Sequence, residues 1–364
     1  MKILILSDYS SESPGGAQVI IKLFADSLKG HNFDVFELNT TADSKRNSLV
    51  KRLLAGSNLL RELRSVINPA ALLKLQRKIS EIRPDVIWIH NVNNYWSWSS
   101  LLISKFNTKT ILTCHELSAI SNLKLKKNNL DSNLKLIYKS LDMSLATILL
   151  LKVKHFYLRF LFKQVRAVAI GEICEDVLAA NHFRTTARIP NRVEACTHLD
   201  TQPREPDSVL FAGRLIEKGL RETAIGAEQA GMRLFLVGPP ELYSDALQYC
   251  PAEKVEYLGN KGNQELLLLL HKFEIVSVCS QSFDNYPTIG LEAIVHGCKI
   301  VTSELTGLSK LLGRHGINAT VRIGEIPVFR GIQGIPIELF QSQKLLQEII
   351  DPAITVESYL SLFQ

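Results

Sequence analysis

No window of the chain approaches the ~18 uninterrupted apolar residues of a spanning helix. The best candidate, Met143 to Phe162, is broken by Lys152, Lys154, His155 and Arg159, so a membrane-spanning protein is rejected. The opening residues hold a single apolar run, Ile3 to Leu6, closed by Ser7 and Asp8. That run is too short for the core of a signal peptide, and a cytoplasmic chain is expected. There is no CxxC pair: the six cysteines (Cys114, Cys174, Cys196, Cys250, Cys279, Cys298) are scattered through mostly apolar stretches. They read as reduced core thiols, not as a zinc site or a disulfide framework. No GxGxxG occurs, which speaks against a dinucleotide-dependent dehydrogenase. Glycine and proline are sparse, 20 and 13 residues of 364, and no short repeat or low-complexity tract appears, so disordered and collagen-like chains are excluded.

What is present is apolar: 46% of the 364 residues, with 21% charged. At this length two domains with separate cores are expected. The net charge of +6 is unevenly spread. Residues 41–83 contribute +7 and residues 121–170 contribute +8, which leaves −9 for the remainder. A basic amino-terminal half beside an acidic carboxy-terminal half points to domains with different partners.

The pattern along the chain alternates. Ile3 to Leu6 reads as a strand, a loop runs through Pro14, Gly15 and Gly16, and Val19, Ile20, Leu23, Phe24 and Leu28 follow helical spacing before Lys29-Gly30. Phe33 to Leu38 then alternates as a strand, which makes a βαβ unit and a parallel sheet. A basic helical segment, Leu49 to Ile82, precedes expected strands at Asp85 to His90, Lys109 to Cys114 and Ala167 to Ile170. Residues 197–207 are polar and proline-bearing and read as a linker. A second alternation follows: strands at Val209 to Ala212, Arg233 to Val237, Ile275 to Cys279 and Lys299 to Thr302, with helices at Leu220 to Ala230, Glu265 to His271 and Ile289 to His296. The expected organisation is an amino-terminal domain over 1–196, a linker over 197–207, a second domain over 208–337, and closing helices over 338–364, the last packing back on the first domain.

The strongest chemical constellation lies in the second half. Gly213-Arg214-Leu215-Ile216-Glu217-Lys218-Gly219 follows a strand, and Asp284 precedes Glu292 by eight positions. A glycine-flanked loop at a strand's carboxyl end lets backbone and two cations approach a diphosphate. Two acids, one in a loop and one in the helix after it, suit the hydroxyls of a sugar-containing ligand. The helix start at Thr288 and Ile289 brings unpaired N–H groups towards phosphate.

Phe211-Ala212-Gly213-Arg214 with Lys218-Gly219, followed by Asp284-Asn285-Tyr286-Pro287 leading into Leu291-Glu292-Ala293, resembles glycosyltransferase family 4, retaining enzymes of the GT-B fold. The resemblance extends through Pro14-Gly15-Gly16-Ala17, His90-Asn91, His115-Glu116, Ile189-Pro190-Asn191 and the closing Tyr359 to Phe363. It implies an α/β protein of two doubly wound Rossmann-like domains facing a central cleft. It further implies a retaining, metal-free transferase that moves a sugar from a nucleotide-sugar, a UDP-sugar before a GDP-sugar, to a glycan or lipid-linked acceptor in surface-polysaccharide synthesis. By this resemblance Arg214 and Lys218 bind the pyrophosphate, with Thr288 and Ile289 beside them, and Glu292 takes the ribose hydroxyls. Asp284, where the family usually has Glu, binds the donor sugar; Gly16 faces the sugar, and His115 stands near the reacting centre. The sequence lacks the Asp-x-Asp by which metal-dependent sugar transferases hold a cation, so no cofactor is expected and charge neutralisation falls to the two cations and helix termini.

Each feature also has a plainer reading. Most loop cations are merely solvated, an isolated histidine at a strand end is usually structural, and Gly15-Gly16 alone is a turn. Tyr95, Trp96 and Trp98 are more often packing than a sugar platform. The basic stretches interleave with apolar residues at helical spacing, which favours peripheral docking on an anionic membrane over nucleic acid, for which no binding module is present. Competing functions are a sugar-nucleotide epimerase or phosphorylase of the same architecture, and a binding subunit that kept the fold and lost turnover.

Overall fold

The computed structural model describes residues 1–10, 16–39, 58–93, 95–106, 109–122, 124–196 and 203–363. Pro14 and Gly15 of the expected loop, residues 41–57 of the first basic stretch and residues 197–202 of the expected linker lie outside these.

The chain divides into two compact units, Met1–Pro190 with the closing residues 353–364, and Asn191–Pro352. In the first, β1 (Lys2–Leu6), α1 (Gly16–Gly30) and β2 (Asp34–Leu38) form the opening βαβ unit. Two helices follow, α2 (Asn58–Val66) and α3 (Pro69–Ile82), then β3 (Val86–Ile89), β4 (Lys109–Cys114), α4 (Leu145–Phe162), β5 (Arg166–Ala169), α5 (Glu172–Ala180) and β6 (Ala187–Arg188). The sheet runs β2-β1-β3-β4-β5-β6, every pair parallel. Parallel strands covered on both faces must be apolar throughout. Hence β3, Val86-Ile87-Trp88-Ile89, is buried at every position.

The core of this unit joins β1, α1 and β3 to the closing helix Pro352–Phe363. Phe24 stacks on Trp88 at 5.1 Å, and Tyr359 lies 4.5 Å from Trp88. Trp88 Nε1 donates to Thr113 Oγ1 (2.9 Å), which is 3.0 Å from the Tyr359 hydroxyl. Both polar tips are thereby satisfied inside the core, as buried Trp and Tyr require. Val356 and Phe363 complete the same cluster.

The second unit comprises β7 (Glu205–Ala212), α6 (Leu220–Ala230), β8 (Arg233–Val237), α7 (Glu241–Ala246), β9 (Val255–Tyr257), α8 (Asn263–Leu270), β10 (Phe273–Val278), α9 (Thr288–Val295), β11 (Lys299–Ser303), α10 (Gly307–Arg314) and β12 (Thr320–Val321). Its strands order as β12-β11-β10-β7-β8-β9, again all parallel.

Several boundaries differ from the sequence reading. The division falls after Pro190, not Cys196, because Val193 N bonds Ile349 O (2.9 Å) within the second unit. Residues 205–207, expected in the linker, already belong to β7, and the Arg204 guanidinium is held by the carbonyls of Phe273 (2.5 Å) and His296 (2.7 Å). Short helices up to Ile349 stay with the second unit; only the last one joins the first. The helix expected over 49–82 is interrupted at Pro69, whose ring cannot continue it, and Asn68 caps the new start by accepting from Ala71 N (3.3 Å).

The second basic stretch is only partly a solvated face. Lys154 is fully buried, its Nζ 2.8 Å from Glu62 Oε2 and 3.1 Å from Ser118 O, and His155 is buried beside it. Trp96 and Trp98 are packed inside, with Trp96 Nε1 donating to Ser7 O (2.9 Å), so they act as core and not as a sugar platform.

Candidate active site

In the second unit the chain goes from β7 outward through β8 and β9, then returns to place β10 on the other side of β7. Such a reversal leaves a crevice at the carboxyl ends of the two neighbouring strands, where open α/β sheets bind ligands. The loop after β7 carries Arg214 and Lys218; the loop after β10 carries Asp284 and runs into α9. Strand adjacency therefore brings together segments some 66 residues apart, and the Lys218 ammonium is ion-paired with the Asp284 carboxylate.

The two loops are fastened to each other by backbone. Gln281 N donates to Glu217 O (2.8 Å). Gly219 has φ +94°, and a Cβ there would stand 2.1 Å from the Cys279 carbonyl oxygen. Only glycine permits both this left-handed turn and this approach. Asp284 is gripped by the next strand end: its N–H donates to Leu305 O (3.1 Å) and its carbonyl accepts from Gly307 N (3.1 Å). A Cβ on Gly307 would lie 2.0 Å from the Asn285 oxygen. In sequence Thr306-Gly307-Leu308-Ser309 resembles only a weak version of the family's glycine-rich stretch; its contact with Asp284 follows from the tertiary structure.

Arg214 is exposed and makes no hydrogen bond or ion pair among the described residues. Thr288 and Ile289 open α9 behind Pro287, which offers no side-chain cap to their amides, while its carbonyl accepts from Gly290 N (3.2 Å). Glu292 lies one turn further along the same helix and is buried. Burial pushes its carboxyl up to about 7, against which a hydrogen bond from Asn263 acts in the opposite direction. A carboxyl poised between neutral and ionised form can accept from, or donate to, a hydroxyl.

The first unit has its own reversal, between β1 and β3. Here Asp8 N donates to Asn91 O (2.6 Å), and Asp8 Oδ1 accepts from the backbone of Tyr95 (2.8 Å) and Trp96 (2.9 Å). Asp8, unremarked as a site residue in the sequence reading, thus shapes the loop after β3. His90 and His115 end the adjacent strands β3 and β4 and meet, His90 Nδ1 lying 2.8 Å from His115 Nε2, with one of the two donating. Both are buried. Desolvation first, then the neighbouring His115, holds His90 well below the usual histidine range, and desolvation lowers His115 to about 4. At neutral pH the pair is uncharged, suited to hydrogen bonding a hydroxyl and not to electrostatic clamping. Gly16 is exposed at the first position of α1. Gly16 and His115 belong to the first unit; Arg214, Lys218, Asp284, Thr288, Ile289 and Glu292 belong to the second. Among the described residues no group of three or more His, Cys, Asp or Glu side chains is placed to hold a metal ion.

A family model described as Glycosyltransferase Family 4 matches residues 14–168. This span is similar to glycosyltransferase family 4. The fold agrees over the whole length. Sucrose-phosphate synthase from Thermosynechococcus elongatus superposes with a TM-score of 0.74 at 13% identity, covering 100% of this chain and 98% of that one. A glycosyltransferase from Rickettsia africae gives 0.67 at 13% identity, covering 100% and 97%. HepE of Anabaena, solved with UDP and glucose, gives 0.62 at 15% identity, covering 99% and 98%. No curated protein matches the sequence. The chain thus has the GT-B architecture of two parallel-sheet units, and no helix among its described residues is long and apolar enough to cross a membrane.

Proposed function

We propose that this protein is a glycosyltransferase that moves a sugar from a UDP-sugar to a glycan or lipid-linked acceptor in surface-polysaccharide synthesis, with retention of anomeric configuration and without a metal. The observation that carries the donor assignment is the strand-end crevice between β7 and β10, where Arg214, the Lys218–Asp284 pair, the start of α9 and Glu292 are assembled from two loops and one helix. The choice of UDP draws on HepE, whose structures hold UDP and UDP-glucose.

The ion pair has a direct use in this reading. In the free protein Lys218 and Asp284 neutralise each other. An arriving diphosphate competes for the ammonium, and the released carboxylate is then available to the hydroxyls of the sugar. Arg214 adds a planar, permanently charged donor set for phosphate oxygens. The amides of Thr288 and Ile289 supply the helix-terminal dipole, and Glu292 receives ribose hydroxyls. Uncharged His115, hydrogen-bonded to His90, is the first unit's candidate for a hydrogen bond to a hydroxyl of the acceptor. The departing diphosphate takes the acceptor proton on the face it leaves, so that neither Asp284 nor Glu292 needs to become a covalent nucleophile.

The test is ligand-induced thermal stabilisation by UDP, GDP and NAD with EDTA present, on the wild type and on Arg214→Ala. Binding to the folded state raises the midpoint by linkage. The expected result is a metal-independent shift with UDP that Arg214→Ala loses. Absence of a shift with either UDP or GDP refutes the donor site and leaves a binding subunit without turnover.

A further inference from the structure

Helix α4 carries large apolar side chains on opposite faces, and its sequence contains no acidic residue. One face, with Leu151, Lys154, Leu158 and Leu161, is buried in the first unit. The opposite face carries Leu145, Leu149, Val153, Phe156 and Phe160, exposed by 73%, 54%, 64%, 79% and 54%. At ~100° per residue these five positions fall within about 80° of arc, a single stripe along the helix. Nothing in the packing of the unit demands this: the buried face already supplies the core contacts, and a stripe of large apolar side chains in water marks a site of interaction.

Charge decides the partner. Lys152 and the capping Lys163 are exposed at the margins of the stripe, with half-buried Arg159 on the same edge as Lys152. Residues 121–170 as a whole carry +8, of which the charge of Lys154 is offset by Glu62. A second copy docking through the same face would set this charge against itself, since a two-fold interface presents identical surfaces. Nucleic acid would match the charge but leave the Phe and Leu side chains without a partner. An anionic bilayer satisfies both: headgroups take the lysines and the acyl boundary takes the stripe.

We infer that the outer face of α4, Leu145-Leu149-Val153-Phe156-Phe160 with its marginal lysines, is a docking surface that inserts in the plane of an anionic membrane. The sequence reading assigned such docking to the basic stretches at large; the structure narrows it to one helix face whose apolar residues, not its cations, enter the membrane. Lys154 takes no part, being consumed by Glu62. The inference rests on the first unit alone and stands whether or not the donor-site reading holds.

The test is co-sedimentation of the full chain with vesicles of phosphatidylcholine alone, and of phosphatidylcholine containing about one-third phosphatidylglycerol. Wild type is expected to bind the mixed vesicles and to weaken in high salt. Phe156→Glu with Phe160→Glu is expected to reduce the partition constant about tenfold or more, while the UDP-induced thermal shift of the same protein is unchanged. Lys152→Glu with Lys163→Glu is expected to weaken binding to the anionic vesicles only. Failure of the wild type to bind mixed vesicles overturns the inference, as does full binding by the phenylalanine double variant. A concentration-dependent dimer in light scattering that the phenylalanine substitutions abolish also overturns it, by assigning the stripe to self-association.

Discussion

Two of the lysine–carboxylate pairs among the described residues join segments far apart in the chain, and sequence alone would treat them alike. Lys154–Glu62 in the first unit is sealed from solvent and held by further hydrogen bonds: Ser118 O takes a second ammonium hydrogen, and Asn122 donates to Glu62 through both its backbone (3.0 Å) and its side chain (3.1 Å). Lys218–Asp284 in the second unit has side chains 37% and 18% exposed and sits at the mouth of a strand-end crevice. The difference separates a fastening from a pair able to exchange partners, as the proposed donor site requires. A sealed pair cannot exchange partners without stranding a charge in low dielectric; a half-exposed pair exchanges at little cost, because water screens it.

The sharpest way to break this comparison is Lys154→Ala. It leaves the Glu62 carboxylate buried without its cation and is expected to cost about 3–5 kcal/mol in urea unfolding, with no effect on nucleotide affinity beyond loss of folded protein. A cost below ~1 kcal/mol would place the two pairs in the same class.

Next in size are the titrations, which have opposite sign in the two units. Glu292 has a folded pKa raised to about 7 from a usual 4.5. The folded state therefore binds more protons between these values, and stability is lost as pH rises through 7. Glu292→Gln removes this penalty and is expected to gain on the order of 3 kcal/mol at pH 8, the gain vanishing towards pH 4.5. The same variant is expected to bind UDP more weakly, so that a functional carboxyl is retained at the expense of stability. His115 behaves in reverse: lowered to about 4 from 6.5, it contributes stability present above 6.5 and lost as pH falls through 4. His115→Gln is expected to reduce the acid-side loss by on the order of 3 kcal/mol, read from midpoints across that window. His155 of the same unit, also held at about 4 mainly by burial, retains part of the slope.

The smallest effect on stability belongs to the site pair. Lys218→Ala is expected to change unfolding free energy by less than ~1 kcal/mol, while UDP stabilisation falls sharply. Equal losses of stability in Lys218→Ala and Lys154→Ala would dissolve the distinction between the two pairs.

Much of the fold was legible because it is written in local periodicity. Leu220–Ala230 as helix and Arg233–Val237 as strand coincide with the expected spans residue for residue. The short edge strands β6, β9 and β12, of two or three residues, escaped because a run that brief has no period to detect. The candidate site residues could be proposed from type and order, but not their contacts: that Lys218 meets Asp284 follows from β10 lying beside β7, and that His90 meets His115 follows from β3 lying beside β4. Burial of Lys154 was hidden because its partner, Glu62, is 92 positions away on a different helix.

The sequence by itself determined the alternation of strands and helices, the glycine-bounded loop from Gly213 to Gly219, and the chemical inventory available at strand ends. These depend on apolar spacing and on which backbone shapes each residue tolerates, both of which act over a few neighbours. Only the tertiary structure decided which strand ends stand side by side, which lysine is fastened and which is free to exchange, and which face of α4 turns to solvent. Those outcomes depend on how crossovers place distant segments against one another and on the dielectric each charge then meets, quantities that no local window of sequence contains.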